Sequence, residues 1–131
     1  MPFRTDKHCR MAPKPEDGFR VLTMRYWPRG VRRDSVHIYA PQLAPSIRLL
    51  RQFQELDRIP TIELTASRRE KQWQGLMDEY RAEMKLQKAS MDELFHRHLI
   101  GETITLLCGC LDPLRCHRTV LAALIQNQDG F

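Results

Sequence analysis

The sequence predicts a single small α/β domain, with a mostly parallel or mixed β-sheet flanked by helices. Three observations carry this prediction. At 131 residues the chain is long enough for one core and too short for two. Strand-like and helix-like patterns follow one another as strand, helices, strand, helix. The stretch Ile104 to Cys108 is continuously apolar or β-branched, as in a strand buried on both faces.

The elements follow in chain order. Residues 1–18 hold three prolines and a glycine without periodicity, and are expected to be a flexible basic leader. The single domain then occupies residues 19–131. Phe19 to Arg25 reads as a strand that Pro28 and Gly30 end. Val36 to Tyr39 reads as a short extended piece. Ser46 is a cap for a helix carrying Ile47, Leu50 and Phe53 at helical spacing. Residues 59–65 are expected to form a second short strand at an edge, because of Pro60. After Ser67 a long helix is expected to about Lys88, with Trp73, Met77, Tyr80 and Met84 on one face. Ser90 and Glu93 fit a capping box that opens a shorter helix ending near Gly101. The strand 104–108 follows, then a last helix that begins between Asp112 and His117.

Charge is unevenly spread. The net charge is +5, yet residues 1–33 hold nine Lys/Arg against three Asp/Glu. A basic end of this kind suits nucleic acid or another polyanion, and equally suits a solvated surface. No apolar stretch has the length of a membrane span or the pattern of a secretion signal. The expectation is a cytoplasmic protein with no membrane partner and free thiols.

Three of the four cysteines fall within "CGCLDPLRCHR", residues 108–118. Four chemistries compete for it. Metal binding by Cys108, Cys110, Cys116 and His117 has suitable donors but awkward spacing, since neighbouring helical residues point about 100° apart; no metal ligand is assigned. A phosphatase-type Cys-x5-Arg loop fails on counting. A sulfur-transfer loop at Cys110-x4-Arg115 matches in length, but lacks glycine and contains Pro113. An anion site remains: Asp112-Pro113 reads as the start of a helix at the carboxyl end of a strand, where free N–H groups favour an anion and a thiolate. Cysteines buried as small hydrophobes are the plain alternative.

Four segments then point to a family. "FRVLTMRYWPRGV" from Phe19 resembles "RVLVDRLWPRGL". "LAPS" ending at Ser46 resembles "IAPS", and "DEYRAEM" from Asp78 resembles "RYRAEL". "ITLLC" followed by "CHR" resembles "LLC…CHR". In this order, over most of the chain, they resemble the YeaO-like branch of the domain-of-unknown-function 488 (DUF488) family. The resemblance implies a small bacterial-type α/β domain, and it singles out Arg25, Trp27, Arg29, Gly30, Pro45, Ser46, Cys108, Cys116, His117 and Arg118. It implies no reaction and no cofactor. Met24, Tyr39 and Cys110 depart from the branch's pattern, and residues 55–68 fit it poorly.

The expectation is therefore an anion-binding domain for a phosphate or nucleotide-like ligand, with cysteine-dependent activity. Cys116 and His117 are the expected reactive pair. Arg25, Arg29, Ser46, Cys108 and Arg118 are the expected anion-binding residues. Nucleic-acid binding through the basic N-terminal region, and a redox or metal role for the cysteines, stay open as alternatives.

Overall fold

The computed structural model describes residues 3–110 and 112–127. Three parallel strands form its sheet: β1 (Phe19–Leu22), β2 (Ile38–Tyr39) and β3 (Ile104–Leu107), in the order β2-β1-β3. Phe19 pairs with Ile104 and Leu22 with Leu107, so the carboxyl ends of β1 and β3 lie level. The α/β class and the parallel sheet are as expected.

Four helices follow: α1 (Ile47–Arg58), α2 (Ala66–Met84), α3 (Lys88–Leu99) and α4 (His117–Gln126). All four contribute to one core with Val21, Ile104 and Leu106, through Leu49, Met77, Tyr80, Met84, Met91, Leu94, Leu121 and Ile125. The helices thus cover one face of the sheet. Strand residues of the alternate set, Leu22 and Leu107, form a smaller core on the other face with Cys9, Trp27 and Tyr39. Each large side chain so buried contributes about 1.5–3 kcal/mol.

The expected flexible leader is corrected. Phe3 is in the main core and Cys9 in the smaller one. Arg4 makes a parallel bridge to Thr105, which adds a fourth chain to the free edge of β3. Asp17 explains why so polar a segment docks. It is fully buried and meets Lys7 at 2.9 Å, Arg20 at 2.5 Å and Arg4 at 3.4 Å. Its carboxyl also accepts from the Lys14 amide. Next to it, Gly18 has φ +62°, and a Cβ there would stand 2.3 Å from the Thr103 carbonyl oxygen. No other residue fits.

Three smaller expectations also change. Residues 60–63 form a turn and not a strand, tied by amides of Glu63 and Leu64 on the Pro60 carbonyl. Ser90 lies inside α3, which starts at Lys88 with no side-chain cap, so the capping box does not form. Asp112 and Pro113 open a separate 3₁₀ turn (Pro113–Arg115), and α4 starts only at His117 with Cys116 as its N-cap residue. Among the described residues no helix is long and apolar enough to cross a membrane.

Candidate functional site

Parallel strands direct ligands to their carboxyl ends, and here the cysteines gather there. Cys108 directly follows β3. Cys116 has extended backbone, φ −135° and ψ 145°, before α4 begins. This turns its side chain back toward the strand end. The sulfurs of Cys108, Cys110 and Cys116 all lie within 4.8 Å of one another. Cys108 and Cys110 are 3.9 Å apart. Cys108 and Cys116 are buried, while Cys110 is exposed.

His117 completes the cluster. Its Nδ1 stands 3.7 Å from the Cys116 sulfur and 3.9 Å from that of Cys108. Its Nε2 is 2.7 Å from the Thr23 carbonyl oxygen. A carbonyl only accepts, so Nε2 carries the proton and donates. In its neutral form the ring is thereby fixed with the Nδ1 lone pair toward the two sulfurs. Tyr80 holds the ring edge-on at 5.4 Å and is itself anchored by donating its hydroxyl to the Leu43 carbonyl.

Charge settles unevenly over the three thiols. Hydrogen bonds from Cys110 and Cys116, together with the nearby imidazole, lower the pKa of Cys108 far below the ordinary thiol range. The same contact with Cys108 raises Cys110, and pushes Cys116 up to about 12. Burial alone would lower the pKa of His117, but the negative charge on Cys108 and the Thr23 carbonyl outweigh it and raise it. These shifts favour a thiolate at Cys108, with Cys110 and Cys116 as thiol donors and His117 as the group that takes up a proton. The sequence reading had put the reactive thiol at Cys116.

A cleft of about 360 Å³ opens onto this cluster. Its lining includes the apolar Met24, Leu50, Phe53 and Trp73, the charged Arg25, Asp57 and Arg115, and the cluster residues Cys108, Cys110, Cys116 and His117. Arg25 donates through Nε to the Pro45 carbonyl and through Nη2 to that of Ala44, so its side chain is fixed by backbone. Arg115 was not expected in the site. It is exposed, pairs with Glu70 and lies over the Trp73 ring, 5.4 Å from the centroid. Its signals in sequence are the Cys110-x4-Arg115 spacing and its place beside the helix start.

The other expected residues sit elsewhere. Arg29 is exposed and does not line the cleft; its carbonyl accepts from Arg10. Arg118 is fully buried and donates to the carbonyls of Thr5 and Cys110. It therefore braces the docked N-terminal segment and the cysteine loop from behind. Ser46 caps α1, accepting from the Leu49 amide and donating to Glu83. The expected convergence of Arg25, Arg29 and Arg118 on Cys116 does not form. In the basic N-terminal region, Arg4, Lys7 and Arg20 gather on Asp17, which takes three cations away from any polyanion surface.

A family model described as "Active DUF488-N3 subclade" (DUF488-N3a) matches residues 5–129. No curated protein and no solved structure matches the chain.

Proposed function

From the premise that the chain belongs to the DUF488 family, we propose that the cleft is a cysteine-dependent site for a small ligand with an apolar or aromatic body and an anionic group. One observation carries the reading. His117 faces two buried sulfurs through Nδ1 while its Nε2 is locked on the Thr23 carbonyl. A base aimed at a thiol and oriented by a third group is the arrangement that activates a nucleophile. The word "Active" in the family's description supports chemistry over a purely structural cluster.

In this reading Cys108 is the reactive thiolate, and Cys110 and Cys116 donate to it. His117 holds the proton that the thiol gives up. The apolar lining at Phe53 and Trp73 takes the body of the ligand. Arg115 takes the anionic group, because its pairing with Glu70 is exposed and worth at most about 1 kcal/mol.

Alkylation tests this. In a Cys110→Ser background, which removes the exposed thiol, iodoacetamide should modify Cys108 before Cys9, as read by peptide mass spectrometry. His117→Gln should slow that modification by about 100-fold or more. Equal rates at Cys108 and Cys9, or no effect of His117→Gln, would overturn the reading.

A further inference from the structure

We propose that Cys108, Cys110 and Cys116 bind one zinc-class divalent cation, with His117 Nδ1, which stands beside Cys108 and Cys116, as the donor at hand for the fourth position. A zinc–sulfur bond of about 2.3 Å sets a tetrahedral sulfur–sulfur edge of about 3.8 Å, and a sulfur–nitrogen edge of about 3.6 Å. The Cys108 and Cys110 sulfurs are 3.9 Å apart. Nδ1 lies 3.7 Å from Cys116 and 3.9 Å from Cys108. All three sulfurs fall within 4.8 Å of one another, so no sulfur pair is more than about 1 Å from its tetrahedral edge.

The sequence objection to a metal was that adjacent Cys and His on a helix diverge. It does not apply, because Cys116 precedes the helix in extended backbone. That conformation lets Cys116 and His117 face one point.

Two surrounding groups fit the assignment. Metal-bound histidines usually donate their second ring nitrogen to a carbonyl or carboxylate, and His117 donates Nε2 to the Thr23 carbonyl at 2.7 Å. Arg118 is the second group. It is fully buried, its Nη1 donates to the Cys110 carbonyl, and its Nη2 has no partner among the described residues. A buried guanidinium calls for a nearby anion. Three thiolates and a neutral imidazole around a divalent cation carry one net negative charge, and Arg118 is a buried cation bonded to the loop that carries them. The donor set of three sulfurs and one nitrogen selects a soft or borderline metal over magnesium or calcium.

A bound ion would keep Cys108 deprotonated, and metal coordination is one way to activate a thiol. The proposal shares its residues with the thiol reading but does not require it.

Cobalt is the probe. The full chain is purified under reducing conditions, freed of metal with a chelator, and titrated with Co²⁺. One equivalent should bind, with a near-ultraviolet thiolate-to-cobalt band and the strong visible bands of a tetrahedral site. Zn²⁺ should displace it. Cys110→Ser, at an exposed position, should weaken cobalt affinity at least about 10-fold. Cys9→Ala, a buried thiol outside the cluster, should leave affinity and spectrum unchanged. Absence of the band, or unchanged affinity in Cys110→Ser, would overturn the proposal. The thiol reading stands or falls separately, on alkylation of Cys108 in the metal-free protein.

Discussion

Asp17→Asn should be among the most damaging single substitutions in this chain. Asp17 is fully buried, and its carboxylate neutralises Arg20, which is 1% exposed, and Lys7, which is 8% exposed. Asparagine keeps the size but leaves two buried cations without an anion. Breaking a buried pair in this way costs about 3–5 kcal/mol. Unfolding entropy of about 2.1 cal/mol/K per residue, over the chain's length, makes that a fall in Tm of roughly 11–18 °C. Thermal melts followed by circular dichroism at neutral pH measure it directly. The pH dependence supplies a second readout. Burial raises the Asp17 carboxyl, but Lys7, the Lys14 amide and Arg20 outweigh it and hold the pKa below its ordinary value. A depressed carboxyl stabilises the fold fully above its unfolded pKa, and the stabilisation is lost as pH falls through the folded one. The gap in Tm between wild type and Asp17→Asn should therefore be widest above about pH 4 and close in stronger acid. A gap under about 4 °C at neutral pH, or one that does not narrow in acid, would refute the docking of residues 3–17 by this network.

Other outcomes follow from the same geometry. Gly18→Ala must place a Cβ 2.3 Å from the Thr103 carbonyl oxygen at a positive φ, and should cost at least about 1–3 kcal/mol in urea unfolding. Ser46→Ala loses a helix cap and a bond to Glu83; it should cost about 0.5–2 kcal/mol and leave alkylation of Cys108 unchanged. Arg118→Met strands the carbonyls of Thr5 and Cys110. It should cost about 1–3 kcal/mol for each one left buried and unpaired, with faster amide exchange at Arg4 and Cys9. Arg115→Gln should abolish any protection of Cys108 from iodoacetamide by inorganic phosphate, whereas Arg29→Gln should not.

Much of the fold could be read from apolar pattern. The continuous run at 104–107 marks β3 because both its faces are covered, and the stripe Met77, Tyr80, Met84 marks α2 because all three meet the core. What escaped is set by contacts distant in sequence. Residues 3–17 show no periodicity, because they are held by isolated anchors, Phe3 and Cys9, and by an ion cluster on Asp17. Nothing local distinguishes such an aspartate from a solvated one. Ser90 and Glu93 have the spacing of a capping box, but a 3₁₀ turn (Lys85–Gln87) joins α2 closely to α3, and the helix starts earlier. Pro60 suggested an edge strand, whereas its carbonyl closes a turn.

At the site, the segment was legible and the division of labour within it was not. Arginines at the carboxyl ends of strands look alike in sequence, and what separates them is the supply of backbone carbonyls. Ala44 and Pro45 present two such oxygens beside β1, and Arg25 takes both. Thr5 and Cys110 present two more behind the cysteine loop, and Arg118 takes those. Neither is free to swing onto a ligand without leaving carbonyls unpaired at about 1–3 kcal/mol each where they are buried. Arg115 gives up an exposed pairing with Glu70, at a cost of about 0–1 kcal/mol, and a stacking contact on Trp73. Of the two arginines that line the cleft, Arg115 is therefore the one with the weaker attachments. The same carbonyls explain Arg118: bonded to Thr5 on one side and Cys110 on the other, its guanidinium ties the N-terminal segment to the cysteine loop and is not spent on a ligand.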